Sequence, residues 1–324
     1  MPNDLLGVLS AAPQLTERLA TRLRCDPATI RGWARALQRQ GVPLEMSELG
    51  YALSPGTPTP QAVQAAGFAR PYRYCAQIGS TQDELRRWAD DAVSPAPAGA
   101  VLLAESQTGG RGRRGRTWHA PPLPGAALLF SVLLPVPAQA RLNLLPLAAG
   151  LAVRDACRAA LPPGASPPGL KWPNDLLSSS GGKLAGMLLE AEWRGPEVRR
   201  AVLGIGLNVR AAPEGAACLQ DLAAGHGFNR AEVLAGILAA LDLWLRAENA
   251  EVLDAWRQAN VTLGQFIQVQ TQSGPVSGMA QDINDDGELR LSLPSGQTLT
   301  IGAGDVALIG TLKASPENGP PGPA

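Results

Sequence analysis

The segment Gly109-Gly110-Arg111-Gly112-Arg113-Arg114-Gly115-Arg116-Thr117-Trp118 packs four arginines and four glycines into its first eight residues. Glycine lets a backbone approach a ligand closely and adopt positive φ. Arginine brings planar, permanently charged donors that match carboxylate and phosphate oxygens. A loop of this composition suits an anion with several oxygens, such as a triphosphate. Read alone, it is equally a solvated basic loop or an RGG-type RNA-binding segment. Its surroundings argue against both. Val101 to Ala104 reads as a strand before it, and the apolar run through Leu128 to Leu134 as a buried strand after Trp118. The loop is therefore set into a folded sheet. It also lacks the interleaved aromatic residues on which bases would stack.

Three further strings lie downstream. In Lys171-Trp172-Pro173-Asn174-Asp175, the proline stops regular sheet bonding, so Lys171, Asn174 and Asp175 are expected to project at a strand end. Taken alone, this string also fits a surface turn around a buried tryptophan. In Gly181-Gly182-Lys183-Leu184-Ala185-Gly186-Met187-Leu188-Leu189-Glu190, a lysine enters a long apolar strand. Burying that ammonium is costly unless it meets an anion, although an edge lysine that snorkels to water is the bland alternative. In Gly204-Ile205-Gly206-Leu207-Asn208-Val209, an amide closes a glycine-punctuated strand.

Around these strings the chain divides into four parts. Residues 1–62 show short apolar stripes at Leu5 to Leu9 and Leu15 to Leu23. A third helix is expected after Asp26-Pro27, with Ile30, Trp33, Ala34 and Leu37 at helical spacing, and two short strands between Val42 and Leu53. Three helices and a two-stranded wing describe a winged helix-turn-helix. Pro55, Gly56, Pro58 and Pro60 mark a linker. Residues 63–262 mix strands with helices, namely Leu142 to Ala160, Arg230 to Leu245 and Glu251 to Ala259, around one central sheet. Residues 263–313 hold short alternating runs separated by Asp285-Asp286-Gly287 and Pro294-Ser295-Gly296, the pattern of a small all-β barrel. Residues 314–324 are rich in Pro and Gly and are expected to be disordered. The fold class is α+β.

The strings GSTQ (Gly79 to Gln82), ESQTGGRGRRGRTW (Glu105 to Trp118), KWPNDL (Lys171 to Leu176), GKLAGMLLE (Gly182 to Glu190) and GIGLNV (Gly204 to Val209), in this order, closely resemble the bacterial biotin–protein ligases. The likeness covers nearly the whole chain and is nearest to the bifunctional ligases that also repress the biotin operon. It implies a class II synthetase-like catalytic domain with a mixed sheet and a C-terminal SH3-like barrel. It also implies biotin and ATP as substrates, Mg²⁺ bridging the phosphates with no protein metal ligand assigned, and a biotin carboxyl carrier protein of acetyl-CoA carboxylase as acceptor. Operator DNA and a homodimer formed through the central sheet are further partners the likeness allows. Residue by residue, Ser80, Thr81, Gln82 and Gln107 would line the biotin pocket. Arg111, Gly112 and Arg113 would belong to the loop that closes over biotin and its adenylate. Lys171, Asn174 and Gly186 would stand at the ligand site, and Lys183 would contact the biotin carboxylate and the α-phosphate. Trp118 and Asn208 would shape the adenylate site, and Asp175 would lie by the acyl phosphate and the incoming lysine. Lys183, Arg113 and Asp175 are the catalytic candidates.

These expectations agree with elementary electrostatics. Joining a carboxylate to a phosphate brings two anions together. Unit charges at ~4 Å repel by ~4 kcal/mol at an effective dielectric of ~20. Arg111, Arg113 and Lys183 are available to offset that repulsion.

Composition sets the remaining bounds. The 324 residues carry a formal net charge of +0, so any nucleic-acid contact must come from a local patch. Cys25, Cys75, Cys157 and Cys218 are widely spaced without a C-x-x-C pair, which fits reduced thiols in the cytoplasm. No apolar run reaches the roughly 18 residues of a membrane span. Two alternatives stay open. Lipoate and octanoate ligases share the catalytic fold and a lysine, so Lys183 does not by itself decide the substrate. A DNA-binding repressor with subordinate catalysis is supported by Arg31, Arg35 and Arg39 on the third helix. Glu45 and Glu48 oppose it, because they stand where a basic wing tip is wanted.

Overall fold

The computed structural model describes residues 1–308 apart from 122, 137, 224, 272–273 and 303. The expected disordered tail therefore lies outside the described residues. Three helices open the chain: α1 (Pro2–Leu6), α2 (Thr16–Leu23) and α3 (Pro27–Arg39). Asp26 caps α3 by accepting the Thr29 N–H at 2.8 Å, with Pro27 in the first turn, as the sequence signal requires. A hairpin follows, β1 (Leu44–Ser47) against β2 (Gly50–Leu53). Leu5, Leu19, Ile30, Leu37 and Leu53 form one small core that also takes in Ala76 from the first strand of the central sheet. The helix α4 (Pro60–Ala65) runs across the boundary expected at residue 62, because Thr59 caps it and Pro60 starts it, and its Val63 is buried in the main core.

The central sheet has seven strands: β3 (Tyr72–Ile78), β4 (Val101–Gln107), β5 (Ala127–Leu134), β6 (Gly169–Lys171), β7 (Asp175–Leu177), β8 (Lys183–Arg194) and β9 (Glu197–Asn208). Their order is β3-β4-β5-β9-β8-β7-β6, parallel only between β3 and β4. Alternation along the strands gives the sheet two different faces. On one face Val101, Leu103, Leu128, Phe130, Leu203 and Ile205 meet α6 (Leu145–Ala160), α7 (Arg230–Arg246) and α8 (Asn249–Ala259) in the main core. On the other, Leu102, Leu133 and Val202 pack with Leu85 and Trp88 of α5 (Thr81–Ala89).

Two sequence expectations need correcting here. The helix expected from Leu142 starts at Leu145, because Gln139–Arg141 is a short 3₁₀ turn and Pro146 belongs in a first turn. The sequence reading also gave no strand at β3 and no helix at α5. Both are short and largely polar, with Arg73 and Gln77 on β3 and Asp83, Glu84, Arg86 and Arg87 on α5, so each offers only a few apolar residues from which to read a period.

The C-terminal strands β10 (Phe266–Thr271), β11 (Gly274–Ile283), β12 (Leu289–Ser292), β13 (Thr298–Ile301) and β14 (Asp305–Leu308) form one antiparallel sheet in the order β13-β12-β11-β10-β14. It joins the central sheet at the KWPND turn. The Trp172 indole Nε1 donates to the Gly287 carbonyl at 2.9 Å, and the Trp172 N–H donates to Thr262 Oγ1 at 2.9 Å. No helix among the described residues is long and apolar enough to cross a membrane.

Candidate active site

A cavity of about 140 Å³ opens on the α5 face of the sheet. Its floor is made of glycines. Gly186 of β8 and Gly206 of β9 are cross-strand partners, and Gly204 stands two residues away on the same face. The Trp118 indole lies directly on this floor. A Cβ added at Gly206 would meet the ring at 2.5 Å, and one at Gly186 would meet it at 2.9 Å. The glycines are therefore required by close approach, whereas their φ values are ordinary for strands.

One end of the cavity is neutral and polar. Ser80, Thr81 and Gln82 begin α5 there and are all buried. Ser131 donates to the Thr81 hydroxyl at 2.8 Å, and that hydroxyl donates to Gln107 Oε1 at 3.1 Å, as does the Thr81 N–H at 2.7 Å. This chain fixes the Gln107 amide with its oxygen toward α5. The Gln82 amide donates to the carbonyls of Leu188 and Val202 at 3.2 and 3.3 Å, tying α5 to the sheet.

The other end is cationic. Ser178 closes the turn before β8: its hydroxyl accepts the Gly182 N–H at 3.0 Å and its N–H donates to the Gly182 carbonyl at 2.8 Å. The turn delivers Lys183, whose Nζ lies 2.6 Å from Asp175 Oδ1 and 5.5 Å from the centre of the Trp118 ring. The KWPND string is a tight hairpin, with Lys171 and Asp175 as cross-strand partners flanking a cis Trp172–Pro173 bond. The expected strand end is thus a turn between β6 and β7. Asn174 reaches from it to β8, donating to the Met187 carbonyl at 2.7 Å and accepting from Arg113 Nη1 at 3.3 Å.

The Arg/Gly loop covers the cavity as a pinched hairpin, with an Arg111–Thr117 bridge and a Gly112 N–H to Arg116 carbonyl bond of 2.7 Å. Arg113 Nη1 also reaches the Gly304 carbonyl at 3.2 Å, and Arg114 Nη1 reaches the Gln270 carbonyl at 2.6 Å, so the tip rests on the C-terminal sheet. Arg111 lines the cavity at the base of this loop, and its guanidinium bonds to Asp83 and Glu190. Bonding to Asp83 holds the guanidinium above its usual range, while the same contact holds the Asp83 carboxyl below its own. Burial pushes Glu190 up, but hydrogen bonds from Arg111 and Arg86 outweigh it and hold this carboxyl low as well.

The structure brings Ser80, Thr81, Gln82, Gln107, Arg111, Gly112, Arg113, Trp118, Asn174, Lys183 and Gly186 to the cavity wall. It sets three candidates behind that wall. Asp175 is reached through Lys183, and Lys171 Nζ stands 3.9 Å from Asp175. Asn208 is buried beneath Lys183, donating toward its carbonyl at 3.4 Å and to the Ala217 carbonyl at 3.1 Å, with Oδ1 unbonded. The sequence reading missed Asp83, Glu190, Arg116, Thr117, Gly204 and Gly206. The two glycines were legible as a G-x-G spacing in a strand, which puts both on one face. Nothing local marks Asp83 and Glu190 as partners of Arg111.

A neutral polar end, an indole-covered apolar floor and a cationic end have the chemistry to suit an amphiphilic carboxylic acid. Residues 74–208 match the model of the biotin/lipoate A/B protein ligase family, and residues 262–308 match that of the biotin protein ligase C-terminal domain. The chain is 42% identical over 260 residues to a biotin–[acetyl-CoA-carboxylase] ligase of Mycobacterium tuberculosis, spanning 76% of this chain and 92% of that protein. It is 26% identical over 298 residues to the bifunctional ligase/repressor BirA of Bacillus subtilis, spanning 86% and 89%. Among solved structures, the biotin protein ligase of Aquifex aeolicus in complex with biotin and ATP superposes with a TM-score of 0.60 at 26% identity, over 74% of this chain and 99% of that one. The class is that of ligases acting through a biotin/lipoate-type domain. Within it, the chain belongs to the biotin protein ligase family.

Proposed function

We propose that the protein joins biotin to ATP to form biotinyl-5'-AMP and then transfers the biotinyl group to a lysine of a biotin carboxyl carrier protein. The graded polarity of the cavity carries this reading. The hydroxyl and amide groups of Ser80, Thr81, Gln82 and Gln107 suit the uncharged urea of biotin. The glycine floor and Trp118 suit its apolar rings and chain. Lys183 stands where the carboxylate would end. In the first step a carboxylate oxygen attacks the α-phosphorus, a new P–O bond forms and pyrophosphate leaves. Lys183 and Arg113 would offset the repulsion between the two anions and the charge that grows in the transition state.

In the second step the acceptor amine attacks the acyl carbon, an amide bond forms and AMP departs. A free lysine amine has a pKa of ~10.4 and must lose a proton to react. Asp175, paired with Lys183 behind the cavity wall, would be the carboxylate that receives it. Mg²⁺ would be held mainly by phosphate oxygens and water, because no cluster of three or more His, Cys, Asp or Glu occurs among the described residues. The ion would neutralise phosphate charge.

We read residues 1–53 as a winged helix-turn-helix and the C-terminal sheet as an SH3-like barrel. Arg31, Arg35 and Arg39 lie exposed along one stripe of α3, which favours an added role in binding operator DNA; Glu45 and Glu48 on the hairpin weaken phosphate contact there. We also propose self-association through the central sheet, whose β8–β9 end leaves Trp193 48% exposed.

The deciding experiment is pyrophosphate release from ATP with biotin, with lipoate and with neither. Release with biotin that is weakened in Lys183→Ala and Arg113→Ala establishes adenylation. Release with lipoate alone keeps the fold and overturns the substrate. No release with either leaves DNA binding as the leading activity.

A further inference from the structure

The base of the Arg/Gly loop is held by two carboxylates from two elements that border the cavity, α5 and β8. Arg111 Nη1 and Nη2 donate to the two oxygens of Asp83 at 2.6 and 2.8 Å. Its Nε and Nη2 donate to the two oxygens of Glu190 at 3.1 and 2.9 Å. Asp83 sits in the first turn of α5, one residue after Gln82. Glu190 sits on β8, two residues after Leu188. Arg86 cross-links the same pair, bonding to Asp83 at 2.9 Å and to Glu190, and it approaches Glu192 at 3.1 Å.

An isolated exposed ion pair contributes little. This cluster differs in two respects. Both contacts to Arg111 use paired donors and acceptors, the stronger and more directional form. The cluster also joins two arginines to three carboxylates, with every side chain 21–44% exposed, so it is only partly wet. The residues after Arg111, Gly112 and Arg113, line the cavity, so fixing Arg111 fixes where the lid begins.

We infer that Asp83 and Glu190 are positioning residues that hold the Arg/Gly loop shut through Arg111, keeping the reaction intermediate from escaping. The retention role rests on the proposed adenylate chemistry, whereas the holding of the loop does not. Arg111 is thus a fastener, and the cationic work toward the anions falls to Lys183 and Arg113.

Two measurements on the full chain separate these layers. The first is limited trypsin digestion, with cleavage at Arg113, Arg114 and Arg116 read by mass spectrometry. Asp83→Asn and Glu190→Gln should raise the loop cleavage rate at least about tenfold, equal to about 1.4 kcal/mol in the balance between closed and open loop. Asp83→Glu should restore much of the protection. Glu84→Gln, which removes an equal charge from the same helix but faces Arg87, should leave cleavage unchanged. The second is the share of biotinyl-5'-AMP released to solution rather than transferred. It should rise in the same two variants and stay low in Glu84→Gln. Equal cleavage in wild type and both variants would overturn the fastener. Faster cleavage with unchanged release would overturn the retention role. A wild type that makes no adenylate would defeat the proposed function while leaving the cleavage result to judge the loop.

Discussion

Gly206→Ala is the sharpest test of the glycine floor. A Cβ at this position would stand 2.5, 2.6 and 2.9 Å from Cε2, Cζ2 and Nε1 of Trp118. Ordinary van der Waals contact begins near 3.4 Å, so the indole must retreat by about 0.9 Å or tilt. The strand itself has no reason to object: Gly206 does not have a positive φ, and alanine in place of a strand glycine removes an entropic cost of roughly 0.5–1 kcal/mol. The substitution should therefore leave the melting temperature within a degree or two while spoiling the cavity. Displacing a reacting group by ~1 Å costs roughly 10²-fold in rate. We expect biotin-dependent pyrophosphate release to fall by roughly that factor in kcat/KM. Adding Trp118→Ala removes the clash and should make the cost of Gly206→Ala small in that background, a non-additivity that marks direct contact. Near-normal kcat/KM in Gly206→Ala, or equal costs in both backgrounds, would refute the claim that the indole and the glycine floor shape the site together.

Four other outcomes are expected. Arg230 and Glu105 form a buried pair, 2.9 Å apart on both arms, that also binds the Tyr74 hydroxyl and the Ala127 carbonyl. Arg230→Met should destabilise the protein by about 3–5 kcal/mol by leaving Glu105 unpaired, whereas a double replacement by apolar residues should recover part of the loss; denaturant melts decide. Asp175→Asn should preserve pyrophosphate release better than it preserves single-turnover transfer to the carrier, and equal losses in the two steps would exclude it as proton acceptor. The fastener contributes stability that is full above the ordinary carboxyl values of 3.8 and 4.5 and disappears as pH falls through the lowered folded values. The gap in stability between wild type and Asp83→Asn should accordingly be flat from pH 6 to 8 and close in acid. Finally, Arg31→Ala with Arg35→Ala should weaken salt-dependent binding to a biotin-gene promoter and leave adenylation intact; equal DNA binding with and without the two arginines would remove α3 from any operator contact.

Much of this protein was legible in its sequence wherever the physical cause is local. The cap Asp26-Pro27 starts α3 because a carboxylate satisfies orphan amides and proline gives up none that the helix needs. The apolar run after the arginine loop, broken only by Ser131, is β5, buried at every position. The Arg/Gly loop read alone left several uses open, but the family resemblance carried by the ordered strings implied that Lys183, Arg113 and the α5 residues share one site, and all of them line one cavity. The tertiary structure decided what depends on partners distant in the chain. Arg111 meets Asp83 and Glu190, 28 and 79 residues away in the chain, because the fold brings α5 and β8 to the base of the loop. Glu105 and Arg230 are buried together although 125 residues separate them. Asn208 stands behind Lys183 because β8 and β9 pair in one particular register. Composition and spacing record what a segment is able to do; which charge meets which is fixed only when the sheet brings opposite ends of the chain within hydrogen-bond reach.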